Sequence, residues 1–367
     1  MRYPDVPRAL LGAVLAASFA LATGCGTAAV AAGGRSAPAS SSRAAAAAAP
    51  SSAAGRSAGS AAGASASPAP ASSAAAPSST AGRDGIPAFS HVFIIVMENL
   101  GYGPAVALPY VAALAARYAL ATAYDSVAHP SLPNYLALTS GETWVSSDCF
   151  FCYQSAPNIG AQLSAAGIPW GAYMQGLPAD CSLGPFDLAT NYAGKHDPFR
   201  YYEDVRGSAA LCAHLQPLRV LESLLPPATG SAAGAAPAAQ VPRFVWITPN
   251  LCNDGHNCAP STADAWLQSF VPRILRSPAW QQGGVLFLTW DEGNGGDTST
   301  CCGLPAGTGG GHIVTLVMAP GLPAGLRVSV PYDHYSLLAT MEDGLGLPLL
   351  GHAQTTPPMA AFWAGGK

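Results

Sequence analysis

Residues His91–Asn99, HVFIIVMEN, indicate most clearly which kind of fold this chain adopts. Six apolar residues, four of them β-branched, stand between a histidine and a glutamate. A continuous apolar run of this length and composition is typical of a strand that is buried on both faces of a sheet. Glu98 and Asn99 follow the run directly, so the polar side chains lie where this strand ends.

The rest of the chain repeats this pattern between helical segments. Further strands are predicted at Ile168–Met174, Arg243–Thr248, Gly284–Trp290 and Ile313–Met318, and helices at Ala105–Tyr118, Thr262–Leu275 (with Thr262 as N-cap) and Tyr335–Leu345. Strands that alternate with helices indicate an α/β fold, in which a central, mostly parallel sheet is sandwiched by helices. We expect one such domain over residues 87–367.

Two pairs of polar residues follow predicted strands, Glu98–Asn99 and Asp291–Glu292. In open α/β sheets, ligands bind beyond the carboxyl ends of the strands. Neighbouring acids are costly at such a place unless a cation accompanies them. Carboxylate and amide oxygens suit a hard divalent metal ion. The alternative is that the four residues are helix caps or solvated loop residues.

The segment His129–Tyr135, HPSLPNY, places Ser131 just before a run that continues as a helix. The N-terminus of a helix favours a phosphoryl anion, and a serine hydroxyl beside a metal ion becomes a nucleophile. Asn134 is positioned to donate to a phosphate oxygen. The alternatives are that Ser131 is an N-cap and that Asn134 is a turn residue.

The N-terminal region predicts export. Arg2 and Arg8 precede an apolar stretch, Ala9–Ala22, as in a secretory signal peptide. LATGC, which ends at Cys25, resembles a lipobox, so residues 1–25 indicate a secreted protein or a cell-surface lipoprotein, with contact to a membrane only through a lipid on Cys25. Residues 26–86 are nearly all Ala, Ser, Gly and Pro and are interpreted as a disordered linker.

The number of cysteines agrees with export. Besides Cys25 there are eight cysteines, which in an exported chain indicate disulfides. The favoured pairs are local in sequence, namely Cys149–Cys152, Cys181–Cys212 and Cys252–Cys258, and the alternative is a zinc site.

The charge balance of the folded region bears on the kind of partner. Residues 87–367 carry ten Lys and Arg against eighteen Asp and Glu. This acidic balance argues against a nucleic-acid partner, which would need a basic face.

Six motifs, taken together and in order, resemble a known family. They are HVFIIVMEN, HPSLPNYLALTSG, KHDPF, TPNLCNDGHNC, TWDEG and YDHYSLLATMED. They resemble the bacterial phosphoesterase family, which includes phospholipase C-like proteins, secreted acid phosphatases and phosphatidylinositol-3-phosphatase-like members. The resemblance spans residues 90–352 and implies a fold of the alkaline-phosphatase superfamily.

The resemblance also implies roles for individual residues. A divalent metal ion would be held by Glu98, Asn99, Ser131, Asp291 and Glu292. Ser131 would be the nucleophile and form a phosphoseryl intermediate, with Thr139 and Ser140 as the nearby alternatives. His196 would contact the phosphate or protonate the leaving oxygen, and Lys195 would add positive charge. Asp254 and His256 would also face the site.

The expected function is that of an exported, metal-dependent phosphomonoesterase of the acid phosphatase type. Its partner would be a phosphate-ester small molecule or a phospholipid headgroup. The chain ends soon after the last motif, without the C-terminal domains of larger phospholipase C relatives, which favours monoesters. The alternatives are a phospholipase C-type phosphodiesterase and a non-catalytic surface lipoprotein.

Overall fold

The computed structural model of the protein describes residues 84–364. The predicted signal peptide, the lipobox-like segment and the linker up to residue 83 lie outside the described residues. The folded body includes Ile86, which is buried against the core one residue before the predicted domain boundary. None of the helices within residues 84–364 is long and apolar enough to cross a bilayer.

Twelve strands and ten α-helices are formed by the described residues. The strands are β1 Val92–Met97, β2 Ala119–Ala121, β3 Asp125–Ser126, β4 Trp170–Met174, β5 Phe186–Asp187, β6 Tyr192–Ala193, β7 Leu215–Pro217, β8 Phe244–Thr248, β9 Val285–Trp290, β10 Gly311–His312, β11 Thr315–Met318 and β12 Arg327–Val328. The helices are α1 Tyr102–Val106, α2 Pro109–Arg117, α3 Ser131–Ser140, α4 Ile159–Ala165, α5 Glu203–Gly207, α6 Ala209–Cys212, α7 Leu218–Leu224, α8 Pro260–Leu275, α9 Pro278–Gln281 and α10 His334–Leu345.

Eight of the strands form one central sheet, in the order β12-β2-β11-β9-β1-β8-β4-β7. The pairs β9-β1, β1-β8, β8-β4 and β4-β7 are parallel, whereas β11 runs antiparallel to β9 and β2. Every residue of β1, β8 and β9 is buried, as expected for strands that helices cover on both faces. The predicted α/β fold with a mostly parallel sheet is confirmed.

The register of the central strands brings the two predicted polar pairs to one edge. Strand β1 pairs with β9 so that Met97 lies opposite Trp290. The next residues, Glu98 and Asp291, therefore leave the sheet side by side, at the carboxyl ends of two adjacent parallel strands.

Two predicted helices differ from the observed ones for local reasons. The single helix expected over residues 105–118 is wrong, because Leu108 is extended and Pro109 begins a new helix, α2. Proline fits the first position of a helix, where its missing N–H costs nothing. Helix α8 likewise begins at Pro260 after Ala259, so Thr262 is not its N-cap.

Four pairs of cysteines lie within bonding distance. The three predicted pairs are confirmed, with Cα–Cα distances of 5.9 Å for Cys149–Cys152, 5.0 Å for Cys181–Cys212 and 4.7 Å for Cys252–Cys258. The fourth pair joins the adjacent residues Cys301 and Cys302. The pairing of these eight sulfurs favours disulfides over the alternative zinc site.

Candidate active site

Two buried carboxylates form the centre of the site. Glu98 and Asp291 are 1% and 0% exposed, so they are not solvated loop acids. Asn99 adopts a positive φ of 45°, which asparagine tolerates better than most residues. Its main-chain N–H donates to Asp291 Oδ1 at 3.1 Å, and its side-chain amide donates to Glu98 Oε2 at 2.8 Å. Glu292 is also buried. We call the three acids Glu98, Asp291 and Glu292 the carboxylate cluster.

The hydroxyl of Ser131 points into the carboxylate cluster. Ser131 is the first residue of α3, and the N-cap is Pro130, so the serine makes no capping bond. Its Oγ donates to Glu98 Oε2 at 3.1 Å and lies 3.4 Å from Glu292 Oε1. The structure therefore does not support the alternative in which Ser131 serves as the helix cap.

Tyr135 is a member of the site that sequence reasoning missed. Its hydroxyl donates to Glu98 Oε1 at 2.8 Å. Residues four apart on a helix share one face, and Tyr135 follows Ser131 by four positions on α3. This spacing is the signal in the sequence that would have found it.

His196 lies between two carboxylates and is almost fully buried. Its Nδ1 is 3.2 Å from Asp254 Oδ2, and its Nε2 is 3.0 Å from Glu98 Oε1. The second contact is close, but its angles are not those of a hydrogen bond, and Nε2 is left without a hydrogen-bond partner. Asp254 is anchored in turn, since its Oδ1 accepts from the His256 main-chain N–H at 2.8 Å.

Lys195 and His256 form the more open side of the site. Lys195 Nζ lies 3.3 Å from His256 Nε2 and donates to Asp148 Oδ2 at 2.7 Å. The other carboxylate oxygen of Asp148 accepts from the main-chain N–H of Leu132, in the first turn of α3, at 3.0 Å. Sequence reasoning missed Asp148, because it lies in an irregular loop that carries no periodic or motif signal.

Asn134 lies beside the site and is bonded only to main-chain groups. Its Oδ1 accepts from the N–H groups of Val127 and Ala128, and its Nδ2 donates to the carbonyls of Ala128 and Pro130. These bonds favour the alternative interpretation of Asn134 as a residue that shapes the turn before Ser131. The proposed contact between Asn134 and phosphate stays a prediction.

Two further histidines hold members of the carboxylate cluster in place. His129 Nδ1 contacts Glu292 Oε2, and its Nε2 lies 2.8 Å from the carbonyl of Asp297. His334 Nε2 lies 2.7 Å from the carbonyl of Asp291, while its Nδ1 contacts the hydroxyl of Tyr124. Both ring nitrogens of each histidine are therefore already engaged.

The electrostatics of the site indicate an excess of negative charge. Burial raises the pKa of Glu98 well above its usual value, and the charges of Asp291 and Asp254 raise it further. Burial and the charge of Asp291 raise the pKa of Glu292 to about 7. Burial acts to lower the pKa of Lys195, but its bond to Asp148 and the charge of Glu98 outweigh this, and the pKa is raised.

The residues present fit a divalent cation. Ligand atoms of Glu98, His196 and His256 lie within 4.8 Å of one another. Two buried atoms in this space, Asp291 Oδ2 and His196 Nε2, have no hydrogen-bond partner. Buried polar atoms without partners are rare, and clustered carboxylates with a neutral imidazole are a common donor set for divalent metal ions.

The structure thus brings the residues selected from the sequence to one place, with Asn134 at its border. The five residues predicted to hold the metal ion, which we call the metal set, contact one another, and His196 joins them through Glu98; they are Glu98, Asn99, Ser131, Asp291 and Glu292. Lys195, Asp254 and His256 lie on the side of His196. The loop that ends at Asp254 is held against β1, since the Glu98 N–H donates to the Asp254 carbonyl at 3.0 Å.

Comparison with known proteins agrees with this geometry. The family model described as "Phosphoesterase family" matches residues 91–348. The phosphatidylinositol-3-phosphatase of Mycobacterium tuberculosis is 29% identical over 287 residues, which cover 76% of this chain and 84% of that protein. The phosphate-repressible acid phosphatase of Penicillium chrysogenum is 26% identical over 272 residues, and the matched region covers 72% of this chain and 61% of that protein. The chain therefore spans about three fifths of that fungal relative.

Solved structures with a similar fold are more distant. A protein of the alkaline phosphatase superfamily from Vibrio parahaemolyticus covers 74% of this chain and 70% of its own, at 13% identity and a TM-score of 0.47. A likeness of this degree says nothing about chemistry. The family match, by contrast, extends over most of the folded region and includes the site. The chain belongs to the phosphoesterase family and is a phosphoric ester hydrolase.

Proposed function

We propose that the protein is an exported, metal-dependent phosphomonoesterase with Ser131 as its nucleophile. The observation that carries this proposal is the position of the Ser131 hydroxyl. It begins α3, makes no capping bond, and donates into a buried carboxylate cluster that contains an oxygen without a partner, Asp291 Oδ2. A serine held in this way has no evident structural purpose, whereas it suits nucleophilic attack on phosphorus.

The nucleophilic step follows from the contacts of Ser131. Ser131 Oγ attacks phosphorus in line with the ester oxygen, so that the Oγ–P bond forms as the P–O ester bond breaks. The hydroxyl proton passes to the carboxylate of Glu98, which already accepts it as a hydrogen bond. A divalent cation held by the metal set would supply positive charge that stabilises the alkoxide and the phosphoryl oxygens.

Lys195 and the first turn of α3 bind the phosphate group. Lys195 Nζ and the Leu132 N–H both point at one anionic group, the carboxylate of Asp148. A phosphoryl oxygen in the same place would gain a cation and a helix N-terminus. Positioning and charge stabilisation of this kind account for most of the catalysis of phosphoryl transfer.

His256 is the better of the two candidate proton donors. Burial lowers the pKa of His196 well below its usual value, and the neighbouring charge of Lys195 lowers it further, so His196 stays neutral. His256 is exposed, in contrast to the buried His196, so the leaving group and water on the open side of the site can reach its ring. His256 therefore protonates the leaving oxygen and then accepts a proton from the water that hydrolyses the phosphoseryl intermediate.

Three further observations support export and the preference for monoesters. The four cysteine pairs are typical of proteins that fold in an oxidising compartment, where disulfides persist. The N-terminal sequence has the pattern of a signal peptide. The curated relatives compared above are named as phosphatases. For this chain the substrate class is accordingly a phosphate monoester, either a small molecule or a phospholipid headgroup.

The test is hydrolysis of p-nitrophenyl phosphate by the full chain, with and without a chelator, beside Ser131→Ala. We expect the chelator and the substitution each to lower kcat by about a thousandfold or more. Ser140→Ala is the matched control, because Ser140 is also buried on α3 but bonds the carbonyl of Leu136, and it should retain activity.

Each alternative function predicts a different result in the same assay. Hydrolysis of bis(p-nitrophenyl) phosphate in preference to the monoester would indicate a phospholipase C-type phosphodiesterase. Absence of turnover of both esters by a folded, metal-supplied sample would refute the enzymatic proposal and favour a binding lipoprotein. Activity that persists in Ser131→Ala would assign the nucleophile to another group.

A further inference from the structure

Asp148 occupies the place where the substrate phosphate is expected to bind. One of its carboxylate oxygens accepts from the Leu132 N–H at 3.0 Å, and the other accepts from Lys195 Nζ at 2.7 Å. A helix N–H and a lysine ammonium are the two kinds of donor that phosphate binding uses. Here a side chain of the protein itself satisfies both.

The negative charge of Asp148 also acts on the centre of the site. Its carboxylate is bonded to the N–H of Leu132, the residue that follows Ser131, and to Lys195, which also contacts His256. Asp148 therefore lies close enough to oppose a second anion that approaches Ser131. Two like charges a few ångströms apart cannot share these donors without a large electrostatic cost.

We propose that Asp148 is an internal competitor of phosphate, which must release Lys195 and the Leu132 N–H before a phosphate monoester can bind. The inference rests on the proposed phosphatase function. It assigns Asp148 a role in setting the affinity for phosphate, both as substrate and as product. Displacement of a carboxylate by phosphate exchanges one anion for another, so the site is never left with an unpaired lysine.

The anchoring of the surrounding loop indicates that the side chain moves and the backbone stays. The carbonyls of the next two residues are fixed, since Tyr201 Oη donates to the Cys149 carbonyl at 2.7 Å and Arg200 donates to the Phe150 carbonyl at 3.2 Å. The side chain of Asp148 is 32% exposed. Rotation of this side chain into solvent thus frees both donors without opening the loop.

A simpler role for Asp148 predicts the opposite effect. If Asp148 only held Lys195 in a productive position, its removal would leave the flexible lysine side chain without a fixed position. Phosphate binding would then become weaker. If it competes with phosphate, its removal strengthens binding. The sign of the change in phosphate affinity therefore separates the two roles.

The experiment measures the Kd of inorganic phosphate by calorimetry, and its Ki against p-nitrophenyl phosphate, for the metal-loaded full chain. Asp148→Asn keeps the shape of the side chain and removes its charge, and Asp148→Ala removes both contacts. We expect Kd and Ki to fall by about tenfold or more in both variants. Slower release of phosphate should also lower kcat when product release limits turnover.

Glu142→Gln is the matched control. Glu142 lies in the same loop and carries the same charge, but its carboxylate faces His352 at 3.5 Å and contacts neither donor. We expect its phosphate affinity to stay within about twofold of wild type, because screening by water and salt weakens exposed charges at longer range.

The outcomes separate the two proposals. An unchanged or weaker phosphate affinity in folded Asp148→Asn and Asp148→Ala, with an active wild type, overturns the role of Asp148 and leaves the phosphatase intact. A wild type that neither binds phosphate nor hydrolyses either ester overturns the proposed function, and this inference with it. Should Asp148→Asn fail to fold, the alanine variant gives the same decision.

Discussion

The aromatic ring of Tyr135 stacks on the imidazole of His196, with 5.3 Å between the ring centroids and 7° between the planes. The Tyr135 hydroxyl meanwhile donates to Glu98 at 2.8 Å. One side chain of α3 thus positions an acid from the end of β1 and a histidine from the loop after β6. Both side chains are candidate metal ligands. Because Tyr135 contacts both, it orients Glu98 and His196 relative to each other.

Tyr135→Phe should weaken metal binding while it leaves the fold intact. The substitution removes the hydrogen bond to Glu98 and keeps the stacked ring. Loss of a group that orients metal ligands typically costs about 10- to 100-fold in metal affinity, and we expect a change of this size in a metal titration. Tyr192→Phe, which removes a buried hydroxyl bonded to Asp197, is the control. Equal metal affinities in wild type and Tyr135→Phe would contradict the prediction.

Asp291→Asn should have opposite effects on stability in the absence and presence of metal. Burial raises the pKa of Asp291, and its Oδ2 has no partner. Removal of this charge should stabilise the metal-free protein at pH 8 by about 1–2 kcal/mol. The stabilisation that wild type gains from metal should disappear. Thermal unfolding with chelator and with added metal measures both effects.

The control for this experiment is Asp264→Asn. Asp264 is also buried, but its oxygens accept from the N–H groups of Tyr110 and Val111 at the start of α2. We expect this variant to be destabilised to the same extent with and without metal. A metal-free Asp291→Asn that is less stable than wild type would show that Oδ2, and not only Oδ1, has a partner in solution.

Asp254→Asn should become more stable relative to wild type as pH rises. Burial raises the pKa of Asp254 from 3.8 to about 7, so the folded metal-free protein keeps a proton that the unfolded chain releases in this window. Wild type therefore loses stability between about pH 4 and pH 7 through this group, and the asparagine variant does not. We expect the difference in unfolding free energy to change by about 2 kcal/mol or more over that range. Urea unfolding in chelator at several pH values measures it, and a difference independent of pH would contradict the assignment.

Asn134→Ala should lower stability and kcat without a specific loss of phosphate affinity. The substitution leaves the buried N–H groups of Val127 and Ala128 without their acceptor, at a cost of about 2–4 kcal/mol. The turn before Ser131 then loses its support. Asn158→Ala, which removes another buried asparagine, one that caps α4, should cost stability alone. A raised KM at unchanged stability would instead support contact between Asn134 and phosphate.

Much of the fold was predictable because its determinants are local. The five predicted strands are all observed within two residues of their expected ends, since buried parallel strands appear in sequence as apolar, β-branched runs. The helix boundaries were less accurate. Pro109 ended one predicted helix and began another, and apolar periodicity alone does not distinguish this from a continuous helix.

From the sequence alone it follows that Glu98 and Asp291 each come directly after a buried strand and that Ser131 lies at the start of a helix. Hydrophobic runs and chain order are enough for this, because buried parallel strands appear in sequence as apolar runs. The folded structure was needed to show that β1 and β9 are neighbours, that Tyr135 contacts both Glu98 and His196, and that Asp148 bonds both Lys195 and the start of α3. Those contacts join loops far apart in the chain, and the packing of the whole domain sets their distances, which no local pattern encodes.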